Sequence, residues 1–426
     1  MPRMLILADD LTGAADCGVA CAAAGLETVV ALNRLARSAD AEVLSVDADT
    51  RRMTPEEACR EVDRLIRQCA LDPDLLFFQK IDSTLRGNVA AELAAALRTY
   101  GSLHQVAGET VAVMAPAFPA NGRTTVNGVQ LVRGQPLHDT ELWRIGGMHG
   151  RAYIPDLLQQ SGLESALLHL DAVRAGEPVL LEKMTAAARQ AAVVVCDAET
   201  EADLAAIARA SMELRQRVIW AGSAGLAYHL PKAAGLPRTS RSAERVLSSL
   251  SGPLLFVIGS ISRRSVEQVQ LLIRSSRTVH ITAPAEVLLA GEQTRGWRQL
   301  VGELEGAVER NQDLVLECAP EPVVGAAQRP MLSAALAQIT TAVRGKIGAL
   351  IASGGETARM VFDAWGVTRM RLMGEIEKGI PIATAEDWSR PLPIMTKAGD
   401  FGSYEALLKC QQYLRRTSHL HRTSQI

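Results

Sequence analysis

The segment Met4-Leu-Ile-Leu-Ala-Asp-Asp-Leu-Thr-Gly13 shows how this chain folds at its amino end. Its five apolar residues predict a buried strand, and the small residues that follow predict a helix. Ligands of open α/β sheets bind beyond the carboxyl ends of the strands, which is where this pattern places Asp9 and Asp10. Asp10 or Thr12 could instead serve only as a helix cap. We favour a binding site, because a cap does not require two adjacent acids.

Apolar runs alternate with helical patterns along the first half of the chain. Further strands are predicted at residues 28–32, 43–46, 75–78, 111–115, 193–196 and 218–221. Thr54-Pro55-Glu56-Glu57 has the sequence of a helix start with a capping box, and Asn127-Gly128 predicts a hairpin turn. Short apolar runs separated by helices indicate βαβ units and a parallel sheet.

Length and composition divide the chain into two domains. Its 426 residues exceed the size at which a single core stops growing. We predict an N-terminal domain at residues 1–232, a Ser/Arg-rich linker at 233–252, a C-terminal domain at 253–414 and a frayed basic tail at 415–426. Strands of the second domain are predicted at residues 254–258, 279–282, 314–318, 350–352 and 394–397. The predicted fold class is α/β, in which each domain has a largely parallel sheet flanked by helices.

Charge and cysteine content narrow the classes of function. The formal net charge is -2 with acids and bases interspersed, which disfavours nucleic acid and membrane as partners and favours a small molecule. The 7 cysteines form no Cys-x-x-Cys pair, so we predict neither a disulfide framework nor a metal site of protein ligands. We find no charged leader or segment long enough to span a bilayer, and we expect a cytoplasmic protein.

A second polar loop follows the apolar run at 75–78. Lys80-Ile81-Asp82-Ser83-Thr84 places a cation, an acid and two hydroxyls beyond a strand end. Lys80 could neutralise a carboxylate or phosphate, Asp82 could accept a proton, and Ser83 could bind a hydroxyl. The alternative is an ordinary loop in which Lys80 pairs with Asp82 or another acid. We favour a binding role because groups of three kinds converge there.

A third loop, Asp49-Thr50-Arg51-Arg52, follows the run at 43–46. A guanidinium binds a carboxylate through two parallel hydrogen bonds, although a solvated loop arginine fits the sequence equally well. Acidic, basic and hydroxyl side chains at three strand ends together predict a small polyhydroxy carboxylate as ligand.

The second half carries glycine turns after three predicted strands. These turns are Gly259-Ser260, Gly354-Gly355-Glu356-Thr357 and Gly399. Amides at a turn or helix start attract anions, so the three turns predict a phosphate site. For any one of them alone, a tight turn is the commoner explanation. The sequence contains neither a Walker string nor a GxGxxG string, so a nucleotide site is of another kind.

These strings together resemble the four-carbon acid sugar kinase family, which includes the D-threonate, D-erythronate, L-threonate and 3-oxotetronate kinases. The resemblance spans nearly the whole chain. Its markers are Ala8-Asp-Asp-Leu-Thr-Gly13, Lys80-Ile-Asp-Ser-Thr84, Arg86-Gly-Asn88, Gly222-Ser-Ala-Gly-Leu-Ala227, Gly259-Ser260, Ser353-Gly-Gly-Glu-Thr357 and Lys397-Ala-Gly-Asp-Phe-Gly402. The resemblance implies a sugar acid in the N-terminal domain, ATP with its Mg²⁺ in the C-terminal domain, and an active site in the interdomain cleft.

The resemblance also implies roles for individual residues. Substrate contacts are implied for Asp9, Asp10, Arg51, Lys80, Ile81, Asp82 and Ser83. ATP contacts are implied for Ser260, Gly354, Gly355, Glu356, Thr357 and Gly399. Arg51 or Lys80 would anchor the substrate carboxylate. Catalysis is assigned to Asp82, Asp10 and Lys80, with Asp82 or Asp10 orienting or deprotonating the terminal hydroxyl that becomes the 4-phosphate.

Two other functions fit the same residues. One is an ATP-dependent kinase or ligase for another hydroxy acid, and the other is a non-catalytic sugar-acid sensor. The sequence leaves open which four-carbon acid binds and which of Asp9, Asp10 and Asp82 acts as base. The sequence does not fix the oligomeric state, for which the frequency of dimers among metabolic enzymes offers a homodimer as a candidate.

Overall fold

The computed structural model describes residues 2–32, 41–70, 72–104, 110–236, 251–260, 262–319, 328–388 and 390–423. Tertiary contacts divide the chain into two compact units, Met1–Ser240 and Arg241–Ile426. Most of the predicted linker, residues 237–250, lies outside the described residues. Each unit contains β-strands flanked by helices, which confirms the α/β fold class.

The first unit contains one parallel sheet and a separate antiparallel hairpin sheet. The strands of the parallel sheet are β1 (Met4–Ala8), β2 (Thr28–Leu32), β3 (Val43–Asp47), β4 (Leu76–Lys80), β5 (Thr110–Ala115), β9 (Ser165–Leu168), β10 (Val193–Cys196) and β11 (Arg217–Gly222). The hairpin sheet contains β6 (Arg123–Val126), β7 (Val129–Val132) and β8 (Gln135–Pro136). Across the parallel sheet the order is β2-β3-β1-β4-β11-β5-β10-β9, and all neighbours pair in parallel.

The first unit also contains ten α-helices built from described residues. They are α1 (Leu11–Ala23), α2 (Pro55–Cys69), α3 (Val89–Leu103), α4 (Glu141–Ile145), α5 (Ile154–Gln159), α6 (Leu170–Val173), α7 (Glu177–Gln190), α8 (Glu201–Met212), α9 (Ala224–Ala227) and α10 (Leu230–Ala233). The predicted capping box is confirmed at the start of α2, where Thr54 and Glu57 cap each other's backbone amides. The predicted hairpin is also confirmed, since β6 and β7 pair antiparallel around Asn127-Gly128.

The second unit contains a mixed sheet. Its strands are β12 (Leu254–Ile258), β13 (Val279–Ala283), β14 (Leu314–Cys318), β15 (Ala349–Ser353), β16 (Arg369–Glu375), β17 (Pro381–Ala385) and β18 (Leu392–Lys397). Their order is β13-β14-β12-β15-β18-β17-β16. The first five strands in this order pair in parallel, and β17 pairs antiparallel with both β18 and β16. The helices are α11 (Arg263–Ser275), α12 (Ala285–Ala290), α13 (Arg295–Glu309), α14 (Arg329–Thr340), α15 (Gly355–Trp365) and α16 (Ala406–Thr423).

The structure contains strands β8, β9, β16 and β17, which the sequence did not predict, and its last helix is longer than expected. Strands β9, β16 and β17 were missed because none is a continuous Val/Ile/Leu run: β16, for example, alternates half-buried Arg369 and Arg371 with buried Met370 and Leu372. Helix α16 continues to Thr423, into residues predicted as a frayed tail. Buried Leu414 and the ion pair of Arg415 with Asp313 hold that extension.

Among the helices built from described residues, none combines the length and the apolar character that crossing a membrane requires.

Candidate functional site

Three strand ends of the first unit meet where the sequence placed its polar loops. β1 lies between β3 and β4, so that Ala8 is opposite Asp47 on one side and Lys80 on the other. The residues that follow each strand are therefore neighbours in space. We call Asp9, Asp10, Arg51, Lys80 and Asp82 the N-terminal cluster.

Arg51 joins the two carboxylates that follow β1. Its Nε and Nη2 donate to the two oxygens of Asp9 at 2.7 and 3.0 Å, and its Nη1 donates to Asp10 Oδ2 at 2.6 Å. The side chain of Arg51 is 21% exposed, that of Asp9 3% and that of Asp10 17%. Because its guanidinium donates to two carboxylates that are largely shielded from solvent, Arg51 is held in one orientation.

Asp10 is also the N-cap of helix α1. Its Oδ1 accepts from the amide of Gly13 at 2.8 Å, and its Oδ2 accepts from the Thr12 hydroxyl at 2.6 Å. Asp10 therefore does cap α1, as the alternative interpretation expected, and the structure does not limit it to that role. Burial alone raises the pKa of Asp10, but the charges of Arg51 and Lys80 outweigh it and leave the pKa below its usual value. A role of Asp10 in binding substrate stays a prediction.

Lys80 ends β4 with its side chain buried among these groups. Burial lowers the pKa of its ammonium, but the charges of Asp9, Cys17 and Asp10 reverse that effect and raise the pKa above its ordinary value, so Lys80 is a cation at neutral pH. The alternative in which Lys80 pairs with Asp82 is wrong. Asp82 Oδ2 instead accepts from the Thr84 hydroxyl at 2.6 Å and from Arg86 Nε.

Asp82 is a buried carboxylate that stays ionised. Its burial raises the pKa, yet the nearby charges of Arg86, Arg51 and Lys80 hold the pKa well below the ordinary value. Both hydrogen bonds reach the same oxygen, Oδ2. Within the part of the chain that the structure describes, Oδ1 of Asp82 accepts no hydrogen bond. This oxygen is an acceptor available to a ligand hydroxyl.

The rest of the predicted substrate loop contributes less through its side chains. Ile81 has its side chain in the hydrophobic core, and its amide donates to the carbonyl of Gly222 at 2.9 Å. Ser83 is buried, and its carbonyl accepts from the Gln130 side chain of β7 at 2.8 Å. The isoleucine side chain therefore cannot contact a ligand, whereas the Ser83 hydroxyl remains a predicted contact.

Glu92 is a buried acid of this region that the sequence interpretation missed. It lies on α3 with 1% of its surface exposed and accepts a hydrogen bond from Gln79 at 3.2 Å. Burial, followed by the charge of Asp9, raises the pKa of Glu92 to about 7. The sequence could have indicated Glu92, because it is the single acid in Val-Ala-Ala-Glu-Leu-Ala-Ala-Ala and carboxyl groups are rare on an apolar helix face.

Asn88 supports the loop that carries Arg51. The sequence pointed to it, because Asn88 belongs to the Arg86-Gly-Asn88 marker. Its amide nitrogen donates to the carbonyls of Thr50 and Met53, each at 3.0 Å. These bonds hold the loop that carries Arg51.

The glycine turns of the second unit also meet at adjacent strand ends. Ile258 is opposite Ser353, and Ser353 is opposite Lys397, which aligns the ends of β12, β15 and β18. The amide of Gly259 donates to the backbone carbonyl of Ser353 at 3.0 Å, and the amide of Gly354 donates to the backbone carbonyl of Lys397 at 2.9 Å. We call the residues 259–260, 354–357 and 399 the glycine cluster.

Side chains fill the space next to two of these glycines. A Cβ atom on Gly399 would lie 2.0 Å from Ser260 Oγ, and one on Gly259 would lie 1.7 Å from Thr357 Oγ1. Thr357 is buried, and its hydroxyl hydrogen-bonds with that of Ser333 at 3.2 Å. Gly355 and Glu356 open helix α15. The three turns thus pack against one another at adjacent strand ends, and turns of this kind with a helix start bind phosphates in other proteins.

Within the described ranges, no group of three or more His, Cys, Asp or Glu side chains is placed to hold a metal ion.

Comparison with known proteins gives a separate match for each of the two units. A model of a sugar-binding N-terminal domain matches residues 4–230, and a model of a nucleotide-binding C-terminal domain matches residues 255–407. The fold and these matches define a protein of two α/β units, the first similar to sugar-binding domains and the second similar to nucleotide-binding domains.

Curated relatives then give the family. A D-threonate kinase of Cupriavidus necator is 39% identical over 95% of this chain and 96% of its own length. A D-threonate kinase of Salmonella typhimurium is 31% identical over 97% of this chain and 98% of its own length. The chain belongs to the four-carbon acid sugar kinase family. It is a phosphotransferase that acts on an alcohol group and uses ATP, and the relatives give no support to a non-catalytic sensor.

A solved structure shows the same fold. The crystal structure of Haemophilus influenzae protein HI1011 matches with a TM-score of 0.74 at 20% identity, over 96% of this chain and 100% of that one.

Proposed function

We propose that this enzyme is a D-threonate kinase that phosphorylates the terminal hydroxyl of D-threonate to give the 4-phosphate. The observation that carries this choice of acid is the 39% identity, over 95% of the chain, to a relative named D-threonate kinase. Two further relatives with that name are 31% and 30% identical, whereas a D-erythronate kinase is 27% identical and a 3-oxo-tetronate kinase is 28% identical.

The N-terminal cluster supports recognition of a hydroxy acid. Arg51 is already engaged by Asp9 and Asp10, whereas none of the described residues accepts a hydrogen bond from the Lys80 ammonium. We therefore assign the substrate carboxylate to Lys80. The carboxylates of Asp9 and Asp10 and the hydroxyl of Ser83 are assigned to the substrate hydroxyls.

Asp82 is assigned to the terminal hydroxyl. Of the three aspartates, it alone keeps an oxygen that no described residue uses as an acceptor. Its pKa lies well below the ordinary value because Arg86, Arg51 and Lys80 outweigh burial. Such a weak base orients the nucleophile more than it removes the proton. Orientation is what a loose phosphoryl-transfer transition state requires.

The glycine cluster is assigned to ATP. Amides of the turns at 259–260 and 354–357 and at Gly399 would hold the phosphates, together with the Ser260 hydroxyl. ATP supplies the phosphoryl group, and we propose that the Mg²⁺ that neutralises its charge is carried in with it. Location of the reaction in the interdomain cleft stays a prediction.

A panel of acids tests the choice of substrate. We expect ADP release with D-threonate at a higher kcat/KM than with D-erythronate, L-threonate or 3-oxotetronate, and phosphorus NMR of the product should locate the phosphate on C4. A higher kcat/KM for one of the other three acids would reassign the substrate within the family. Turnover only with a different hydroxy acid would favour the broader kinase or ligase hypothesis.

Two aspartate variants test the catalytic assignment. Asp82→Asn should lower kcat by at least about 100-fold, since it removes the charge that orients the hydroxyl. Asp10→Asn should lower the melting temperature and raise KM for the sugar acid with a smaller effect on kcat, because asparagine still caps α1 but no longer pairs with Arg51 or offers a carboxylate to the substrate hydroxyls. The exposed Asp156→Asn is the matched control. Wild-type turnover of the Asp82→Asn variant would refute the assignment.

A further inference from the structure

Lys397, the last residue of β18, is a buried lysine in the second unit. Its side chain is 1% exposed. Its Nζ donates to Ser353 Oγ at 3.1 Å and to the carbonyl of Gly399 at 2.9 Å. Both acceptors are neutral. Among the described residues, no carboxylate oxygen lies within ion-pair distance of this ammonium, and a buried cation without a counter-ion is costly.

The two acceptors of Lys397 belong to two turns of the glycine cluster. Ser353 leads directly into Gly354, and Gly399 is the predicted ATP contact of the third turn. The Gly399 carbonyl also accepts from the hydroxyls of Ser262 and Ser265, at 3.0 and 2.8 Å. Three donors thus converge on one carbonyl, and Lys397 is the only charged one of these three.

We propose that Lys397 is a positioning residue of the nucleotide site, which ties the 353–354 and 397–399 turns together and provides a positive charge that the phosphates of ATP neutralise. This inference rests on the proposed function. It predicts that ATP binds better when Lys397 is protonated.

The groups around Lys397 set the pH range of this effect. Burial lowers the pKa of Lys397 to about 8; Arg264 of α11 acts in the same direction, and Cys410 of α16 and Asp400 oppose it. An anion nearby favours the charged form and raises the pKa in the complex. Above the free-state pKa, binding therefore takes up a proton, and the affinity for ATP falls by up to about tenfold per pH unit.

Calorimetry of ATP binding to the full chain measures that proton directly. Titrations in two buffers of different ionisation enthalpy should show almost no proton uptake near about pH 7 and more than about half a proton near about pH 8.5. ATP binding with the same proton count at both pH values would overturn the inference and leave the kinase assignment intact. Failure of ATP to bind at either pH would instead overturn the proposed function, and the inference with it.

Variants locate the effect on this side chain. Lys397→Met should raise KM for ATP at least about tenfold near pH 7, leave KM for the sugar acid unchanged, and remove the extra proton uptake at the higher pH. Lys409→Met is the matched control, because Lys409 lies in the same unit but is 41% exposed and paired with Glu377. A Lys397→Met protein that still takes up the proton would overturn the inference. If this variant does not fold, the proton count of the wild-type protein decides.

Discussion

At the scale of residues, the three carboxylates of the N-terminal cluster are balanced by its two cations and by Arg86, so the cluster is not a free arginine clamp. Asp9 and Asp10 share Arg51, and Asp82 accepts from Arg86. Lys80 lies near the first pair, buried and charged. This arrangement distinguishes Arg51 from Lys80, which the sequence offered as equivalent candidates for binding the substrate carboxylate. Arg51 organises the aspartates, and Lys80 is the cation that we propose for the substrate carboxylate.

Replacing Lys80 tests that separation. We expect Lys80→Met to raise KM for the sugar acid by at least about tenfold, because a charge-assisted hydrogen bond to the substrate carboxylate is lost. KM for ATP should stay at its wild-type value. Lys183→Met, which removes an exposed lysine of α7, is the control. Steady-state kinetics with each substrate varied in turn measures both constants, and an unchanged sugar-acid KM would contradict the assignment.

Glu92 gives a prediction about stability and pH. Its pKa is about 7 in the folded protein against 4.5 in the unfolded chain, because of burial and the charge of Asp9. The folded state therefore holds a proton that the unfolded state releases, and the free energy of unfolding falls as pH rises from 4.5 to 7 through this group. Glu92→Gln removes this dependence, since glutamine does not ionise.

We therefore expect Glu92→Gln to be more stable than wild type above about pH 8, by up to about 3 kcal/mol, and similar near about pH 4. Urea unfolding at both pH values measures the difference. Glu182→Gln, an exposed glutamate of α7, should match wild type at both. A Glu92→Gln gain that is the same at both pH values would show that the carboxyl does not titrate as described.

At the scale of elements, the β6–β7 hairpin supports the loop at residues 80–84, which is the predicted substrate loop. Gln130 of β7 accepts from Thr125 of β6 at 2.8 Å and donates to the Ser83 carbonyl at 2.8 Å. Asp197, which follows β10, accepts from the amides of Asn127 and Gly128 at the hairpin turn. The turn sequence predicted the hairpin, but not its contact with Ser83, which is 47 residues from Gln130 along the chain.

Gln130→Leu tests the supporting role of the hairpin. The substitution leaves the buried Ser83 carbonyl without its donor, a loss of about 1–3 kcal/mol. We expect a higher KM for the sugar acid and a lower kcat, with KM for ATP unchanged. Gln135→Leu, at an exposed position of β8, is the control. A uniform loss of folded protein with normal constants for the remainder would show that Gln130 only stabilises the fold.

At the scale of the whole molecule, local patterns predicted where functional groups lie better than how they pair. Parallel strands end at one edge, so polar residues after β1, β3 and β4 had to meet. Pairing depends on side-chain orientation and on distant elements. For that reason the sequence did not show Arg51 between two aspartates, Arg86 on Asp82, or Glu92 facing the cluster from α3.

The second unit shows the same limit. The parallel strands β12, β15 and β18 were predicted from apolar runs, and their glycine turns converge. The antiparallel strands β16 and β17 were not predicted, because half-buried or small residues interrupt their apolar pattern. Lys397 belongs to one of the sequence markers, but its burial and its bond to Ser353 depend on β15 lying beside β18, which the sequence did not show.

The most direct test of the proposed function is the stoichiometry of the reaction with D-threonate. The protein is incubated with ATP, Mg²⁺ and D-threonate, and ADP and phosphate ester are both quantified over time. We predict one D-threonate 4-phosphate formed for each ADP released, with negligible ADP when the acid is omitted. ADP release that does not depend on the acid, or the absence of a phosphate ester with all four four-carbon acids, would contradict the assignment.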